Sequence, residues 1–275
     1  YFDGWNSTTA FSTLVPTKGY NIYLTANDKA VFRGTLNGSV NTYTLNYTST
    51  YSHQGWNLVG NPYPCNYDLT GVTVLNNSDN VDNTVYYEKD GVFYYWNVFT
   101  NAGSTGYSDI VPPLQGFFIK VRSAGNTFNL PTAYKTASAG DSRSKGVADE
   151  YADKAAFISK IKLLISNSIK SDETIVCLID EATTGFDSDY DAEKLFGSDN
   201  TQPYIYSVMS GLKYAINSLP GPQATNVVVP LTVVIKTAGN YTITVPEFEN
   251  MEGVKVFLKH GAIETRLSGA ATYSF

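Results

Sequence analysis

Apolar and polar residues alternate along most of this chain with a period of two, which is the period of a β-strand. In the segment 41–47, for example, Tyr43, Leu45 and Tyr47 fall on one face. Short clusters of Gly, Pro, Asn, Asp and Ser separate one such segment from the next, as turns do. Strands are predicted at residues 19–25, 30–36, 41–47, 56–59, 85–89, 92–97, 116–122, 127–130, 156–166, 173–180, 202–209, 212–218, 226–236, 239–245 and 254–259.

The turns between these segments favour antiparallel sheets. Asp90-Gly91 joins the predicted strands 85–89 and 92–97, and this dipeptide is a strong signal for a tight hairpin. A helical turn is predicted only at 188–196, which is too short to form a layer. The sequence therefore predicts an all-β fold with almost no helix, arranged as two consecutive β-sandwich or jelly-roll-like domains.

The predicted domains are 1–136 and 151–275, joined by a linker at 137–150 that lacks apolar periodicity. Because Tyr273-Ser274-Phe275 resemble the start of a strand, we expect the second domain to lack its last strand or to borrow one. The opening Tyr-Phe-Asp-Gly-Trp is typical of the middle of a longer protein.

Composition narrows the class of protein. Aromatic residues make up 14% of the chain and charged residues only 16%, as expected for an extracellular all-β protein rather than a helical enzyme. The net charge of −6 argues against nucleic-acid binding, and no apolar run is long enough for a membrane helix. A disulfide between Cys65 and Cys177 is not expected, and Cys177 is interpreted as a small buried hydrophobe.

Alternating aspartates form the best candidate metal site. Asp187, Asp189 and Asp191 could converge on a Ca²⁺ ion, although the match to a calcium-binding helix-loop-helix fails at Ala192 and Ser198. The alternative interpretation is an acidic surface loop with an aspartate that caps a short helix. We expect no required cofactor, with a structural Ca²⁺ as the one candidate.

Aromatic residues form the best candidate ligand surface. Neighbours such as Tyr86 and Tyr87 must point to opposite faces of a sheet, so one face fills a core and the other could display an aromatic strip. Such a strip could stack on a glycan or anchor a protein partner. The alternative is that a loop or a second sheet buries both faces. The candidate ligand-binding residues are Tyr87, Tyr94, Trp96, Phe99 and Tyr107.

Catalytic chemistry has little support. The two histidines, His53 and His260, fall in a turn and at a hairpin end, and neither lies in the context of a nucleophilic serine. A pair of glycosidase carboxylates cannot be distinguished among 25 acidic residues. We therefore predict a non-enzyme, which could still be an appended region of a polysaccharide-degrading enzyme.

Two motifs are the most distinctive part of the sequence. Residues 55–64 read Gly-Trp-Asn-Leu-Val-Gly-Asn-Pro-Tyr-Pro, and residues 112–121 read Pro-Pro-Leu-Gln-Gly-Phe-Phe-Ile-Lys-Val. Each is interpreted as a buried strand joined to a Gly/Pro turn, so both specify architecture. With the Tyr- and Trp-rich segment 85–96 between them, they resemble modules of large secreted Bacteroidetes proteins found upstream of type IX secretion sorting domains.

The second half continues this resemblance through Asp172-Glu173-Thr174, Phe186-Asp187 and the segments 190–195, 203–207, 215–220, 229–231 and 238–243. The resemblance implies an exported, surface-associated protein with two β-domains, which would meet the type IX secretion machinery through its parent protein. It implies no catalytic residue.

The expected function is therefore that of a non-catalytic extracellular module of a larger secreted or surface-anchored bacterial protein, with adhesin-like or accessory binding of a glycan or surface protein. The alternative is a purely structural spacer or assembly module between a functional head and a sorting domain. A binding module should expose coplanar aromatic rings, whereas a spacer should bury them and form a strong interdomain contact.

Overall fold

A computed structural model describes residues 13–22, 31–40, 42–49, 53–70, 80–137, 158–221 and 226–275. Regular structure in these residues is almost entirely β-strand, with a short 3₁₀ turn at Thr132–Tyr134, so the all-β prediction is confirmed. We call residues 13–137 the N-terminal part and residues 158–275 the C-terminal part. The predicted linker, 137–150, lies almost wholly outside the described residues, so the predicted domain boundaries stay predictions.

The N-terminal part contains a five-stranded sheet in the order β2-β8-β4-β5-β6, a three-stranded sheet in the order β10-β3-β7 and the pair β1-β9. The strand bounds are β1 Thr42–Thr44, β2 Trp56–Gly60, β3 Asn66–Asp68, β4 Thr84–Lys89, β5 Val92–Asn97, β6 Ala102–Gly103, β7 Ile110–Val111, β8 Gly116–Lys120, β9 Thr127–Asn129 and β10 Lys135–Thr136.

The C-terminal part is built on one large sheet in the order β16-β14-β15-β12-β11-β17-β20, with β13 also paired to β15 and a separate hairpin β18-β19. Its pairs are antiparallel except β12 with β15. The strand bounds are β11 Ser159–Ser166, β12 Ser171–Leu178, β13 Ala192–Glu193, β14 Tyr204–Met209, β15 Leu212–Leu219, β16 Leu231–Val234, β17 Thr242–Glu249, β18 Val256–His260, β19 Ile263–Leu267 and β20 Thr272–Ser274.

The predicted hairpin at Asp90-Gly91 is confirmed. β4 and β5 pair in register up to Lys89 opposite Val92, which leaves a two-residue turn. Asp90 and Gly91 both have positive φ, at 55° and 75°. Positive φ at both central residues is what a type I′ turn requires, and its twist matches the twist of the flanking strands.

The two distinctive motifs form neighbouring strands, as their interpretation as architecture predicts. β2 pairs with β8 over its whole length, from Trp56 opposite Lys120 to Gly60 opposite Gly116. The buried Asn61 amide then fixes the turn, because its Nδ2 donates to the carbonyls of Cys65 at 2.8 Å and of Val111 at 3.1 Å. These bonds satisfy backbone groups that would otherwise be buried without a partner.

The described residues contain three hydrophobic cores. The first, which we call the N-terminal core, lies within the N-terminal part and includes Tyr63, Phe117 and Phe128. The second combines Tyr86 and Tyr95 of the five-stranded sheet with buried residues of the large sheet, and we call it the shared core. The third, which we call the C-terminal core, lies on the opposite face of the large sheet, under the β18-β19 hairpin. The core between the two parts therefore belongs to both.

Several element predictions were wrong. Residues 19–22 and 31–36 carry no strand, and residues 23–30 lie outside the described residues. The predicted helical turn at 188–196 is a turn followed by β13, because Ala192 and Glu193 pair with β15 instead. Only Leu231–Val234 of the predicted strand 226–236 forms a strand, and β19 was not predicted. Within the described residues, no helix is both long and apolar enough to cross a membrane.

Candidate functional site at the junction of the two parts

Adjacent aromatic residues of the β4-β5 hairpin point to opposite faces of the sheet, as predicted. Tyr87 and Tyr94 are cross-strand partners that pack into the N-terminal core. Tyr86 and Tyr95 are the next pair along, and they pack into the shared core. The large sheet thus covers the second face, so these rings form no open aromatic strip.

The five candidate ligand residues are all engaged with other rings or with the core. Tyr87 is only 6% exposed and lies 5.1 Å from the Tyr107 ring, so it packs the core and offers no face to a ligand. Tyr94 stacks on Tyr107 at 4.5 Å, and both are half-buried. Trp96 is half-buried against the N-terminal core. Phe99 makes an edge contact of 5.0 Å with Tyr190 of the C-terminal part.

Hydrogen bonds between the two parts surround the shared core. The buried Tyr95 hydroxyl donates to the carbonyl oxygens of Glu173 at 3.1 Å and Ala215 at 3.3 Å. The Thr105 backbone N–H and hydroxyl both donate to the Glu173 carboxylate, at 2.8 Å and 2.5 Å. The Thr84 hydroxyl donates to the Asp191 carbonyl at 2.9 Å. These bonds fix the orientation of one sheet on the other.

A charged network crosses the same junction. Arg122 pairs with the buried Asp82 at 2.5 Å and with Glu193 of the C-terminal part at 3.1 Å. Lys120 also pairs with Glu193, at 2.5 Å. Burial raises the pKa of Asp82 to about 6, although the Arg122 guanidinium acts in the opposite direction. Since each acid contacts a base, the network is arranged for cohesion and leaves no isolated charge.

The three aspartates proposed as calcium ligands accept hydrogen bonds from protein donors. Asp187 accepts from the Thr183 backbone N–H at 2.7 Å, and Asp189 accepts from the Asn83 amide at 2.8 Å. Asp191 is fully buried and accepts from the Asp187 and Ser218 backbone N–H groups. In the part of the chain that the structure describes, no three Asp, Glu, His or Cys side chains are grouped as metal ligands.

The two histidines and two cysteines lie at separate places in the fold. His53 is exposed in a turn, and the His260 ring contacts the Tyr273 hydroxyl at 2.7 Å. Cys65 and Cys177 are both free. Burial raises the pKa of the Cys177 thiol to about 12, which disfavours the nucleophilic thiolate.

The comparisons with known proteins address the chain as a whole. A family model described as a domain of unknown function, DUF8693, matches residues 3–275. The chain belongs to the DUF8693 family. No curated protein and no solved structure matches the chain. The DUF8693 model covers both parts in one match, in agreement with a core to which both parts contribute.

Sequence reasoning missed the residues that hold the junction. Asp82, Arg122, Glu173 and Glu193 belong to no motif of fixed spacing. Asp82 and Arg122 are 40 positions apart, and the side-chain pairs by which these residues join the two parts are 68 to 73 positions apart, as long-range sheet packing allows. Charged residues within otherwise apolar strands were the one available signal, because a buried charge requires a partner.

Proposed function

We propose that this DUF8693 chain is a non-catalytic structural module, in which the two parts form one rigid unit that spaces or assembles other segments of a larger protein. The observation that carries the proposal is the shared core, with Tyr86 and Tyr95 of one part packed among Ile175, Cys177 and Ile216 of the other. A spacer was expected to bury its aromatic residues and to form a strong contact between its parts.

The resemblance to secreted Bacteroidetes modules supports an extracellular or cell-surface location, and export through the type IX secretion machinery would act on the parent protein. The acidic, aromatic-rich composition agrees with that location. A rigid unit is useful there because it holds a functional head at a fixed distance and orientation. The proposed module requires no cofactor.

The test is whether the two parts unfold together. Trp96 packs on the N-terminal core and Trp56 on the shared core, and the described C-terminal part has no tryptophan. Tryptophan fluorescence therefore follows the first part and its junction, most specifically in a Trp56→Phe background that leaves Trp96, while far-UV circular dichroism follows both parts. We expect the two signals to change at the same denaturant concentration.

A variant in the shared core sharpens this test. Ala215→Asp places an unpaired carboxylate among apolar residues of the C-terminal part, so it should lower the midpoint reported by tryptophans of the other part. Ala238→Asp, at an exposed position, is the matched control and should change little. Separate transitions, with the tryptophan signal unmoved by Ala215→Asp, would refute one rigid unit.

Binding of a glycan or a surface protein is the second candidate function. It is favoured by the half-buried Tyr94–Tyr107 stack, whose rings lie 4.5 Å apart with planes inclined by 18°. A glycan array and calorimetry, run with Ca²⁺ and again with EDTA, test it. Saturable binding that Tyr94→Ala abolishes without unfolding would support this function, and binding lost in EDTA would support the calcium hypothesis.

A further inference from the structure

An exposed ring, Phe196, lies over two tyrosines near the β16 edge of the large sheet. Its ring meets Tyr204 at 5.0 Å and Tyr206 at 5.4 Å, both edge-on. Tyr204 and Tyr206 are buried, whereas Phe196 is 41% exposed. Because Ile205 between them packs into the C-terminal core, the three rings lie on the opposite face of the sheet.

The backbone holds this ring cluster in place. Tyr204 and Tyr206 pair with Val234 and Thr232 of β16. The backbone N–H of Gly197, next to Phe196, donates to the Tyr204 hydroxyl at 3.2 Å. A ligand that packs on Phe196 would therefore meet a preformed surface and would lose little free energy in ordering it.

Two lysines stand over the same rings. The Lys213 Nζ lies 4.9 Å from the Phe196 ring centroid and 5.7 Å from that of Tyr206, and the Lys236 Nζ lies 5.8 Å from that of Tyr204. Both lysines are exposed. We call Phe196, Tyr204, Tyr206, Lys213 and Lys236 the Phe196 patch.

The charges of the Phe196 patch are not neutralised within the described part of the chain. Neither Lys213 nor Lys236 forms an ion pair with a carboxylate there, as is also true of the exposed Lys89 and Lys255, whereas Lys120, Lys170 and Lys194 are paired. This contrast arises in a chain with net charge −6, in which acidic side chains outnumber basic ones. The patch is thus a local cationic surface around an exposed apolar ring.

We propose that the Phe196 patch binds an anionic polysaccharide built from uronic acids. The apolar face of one pyranose ring would pack on Phe196, while the carboxylates of that sugar or its neighbours pair with Lys213 and Lys236. An aromatic ring flanked by two cations matches a ligand that carries a ring and a carboxylate in each unit. This binding goes beyond the structural role and does not depend on it.

The experiment is calorimetric titration of the full chain with polygalacturonate at low salt, with dextran as the neutral polymer. We expect saturable binding of polygalacturonate, none of dextran, and weaker binding as salt is added. Phe196→Ala, Lys213→Ala and Lys236→Ala should each weaken binding by about tenfold, the effect of losing one good contact. Phe196→Leu, which keeps an apolar side chain but removes the ring, should weaken it as well.

Matched controls separate the patch from general effects. Phe257→Ala and Lys259→Ala remove an exposed phenylalanine and an exposed lysine from the β18-β19 hairpin, and neither should change the affinity. A thermal melt of each variant is recorded first, and affinities are compared only among variants that are folded at the temperature of the titration.

Four outcomes would overturn the proposal. The first is that polygalacturonate does not bind. The second is that the Phe196→Leu variant and the Lys213→Ala variant both bind it with unchanged affinity. The third is equal binding of polyglutamate, which has carboxylates but no sugar ring and would indicate an acidic protein partner. Binding lost in Tyr94→Ala but kept in Phe196→Ala would transfer the glycan to the Tyr94–Tyr107 stack.

Discussion

Asp191 shows at the scale of one residue how the junction uses its polar groups. Its side chain is fully buried and accepts from two backbone N–H groups, while its own carbonyl accepts from Thr84 across the junction. Sequence reasoning placed this residue in a metal site because alternating carboxylates look alike before their donors are known. In the structure its carboxylate accepts from Asp187 and Ser218 and so holds the turn before β13, while its part in a metal site stays a prediction.

Burial raises the pKa of Asp191 from its ordinary value of 3.8 to about 7. Between these pH values the folded chain binds more protons at this site than the unfolded chain, so its contribution to stability is complete below pH 3.8 and is lost as pH rises towards 7. We expect the free energy of unfolding to fall over this window, by up to about 4 kcal/mol from this residue.

Asp191→Asn tests this expectation by denaturation at several pH values. The variant should be less stable at acid pH, because an amide has one oxygen to accept the two N–H groups, but its stability should fall less between pH 4 and pH 7. Glu264→Gln, on the exposed β18-β19 hairpin, is the control and should leave the slope unchanged. An unaltered slope in Asp191→Asn would contradict the assignment.

At the scale of elements, the β4-β5 hairpin contacts the C-terminal part through its turn as well as its face. The Asp199 backbone N–H donates to the Gly91 carbonyl at 3.2 Å. A Cβ at Gly197 would collide with the Gly91 backbone. The glycine at 197 therefore permits the close approach of two backbones from different parts of the chain.

Gly197→Ala should lower the stability of the whole chain by about 1–3 kcal/mol, since one of the two packed backbones must move. Gly185→Ala is the control, because the nearest atom to its added Cβ is the Thr183 hydroxyl at 3.4 Å. Thermal melts of both variants measure the difference. Equal midpoints would show that the hairpin turn does not rest firmly on this loop.

The elements that could be predicted are those determined by neighbouring residues in the sequence. The elements that depend on contacts with distant residues could not be predicted. Asp90-Gly91 specifies its turn through backbone φ alone, so the hairpin could be predicted. The segment 31–36 alternates like a strand yet has no ladder there, and β13 forms because β15 lies beside it. The alternation of Tyr86 and Tyr87 fixed opposite faces, but the sheet that covers Tyr86 comes from far along the sequence.

Chemical labelling of the two free thiols would distinguish surface access from opening of the shared core. Cys65 lies at an intermediate depth, whereas Cys177 is fully buried in the shared core. A thiol reagent should therefore modify Cys65 readily and Cys177 only when the core opens. Cys177 labelling should be slower by about 1,000-fold or more in the folded chain, and Ala215→Asp should accelerate it. Equal labelling rates under native conditions would contradict a tightly closed junction.

The shared core also determines the order in which the chain can complete its fold. Tyr86 and Tyr95 pack against Ile175 and Ile216, which leave the ribosome or a secretion channel much later than the two tyrosines. Until then the five-stranded sheet has an uncovered aromatic face that is open to premature association. Docking of the large sheet on this face is thus a late folding step with a high loop-closure cost. A chaperone that protects the emerging chain would act before this step, while the aromatic face is uncovered.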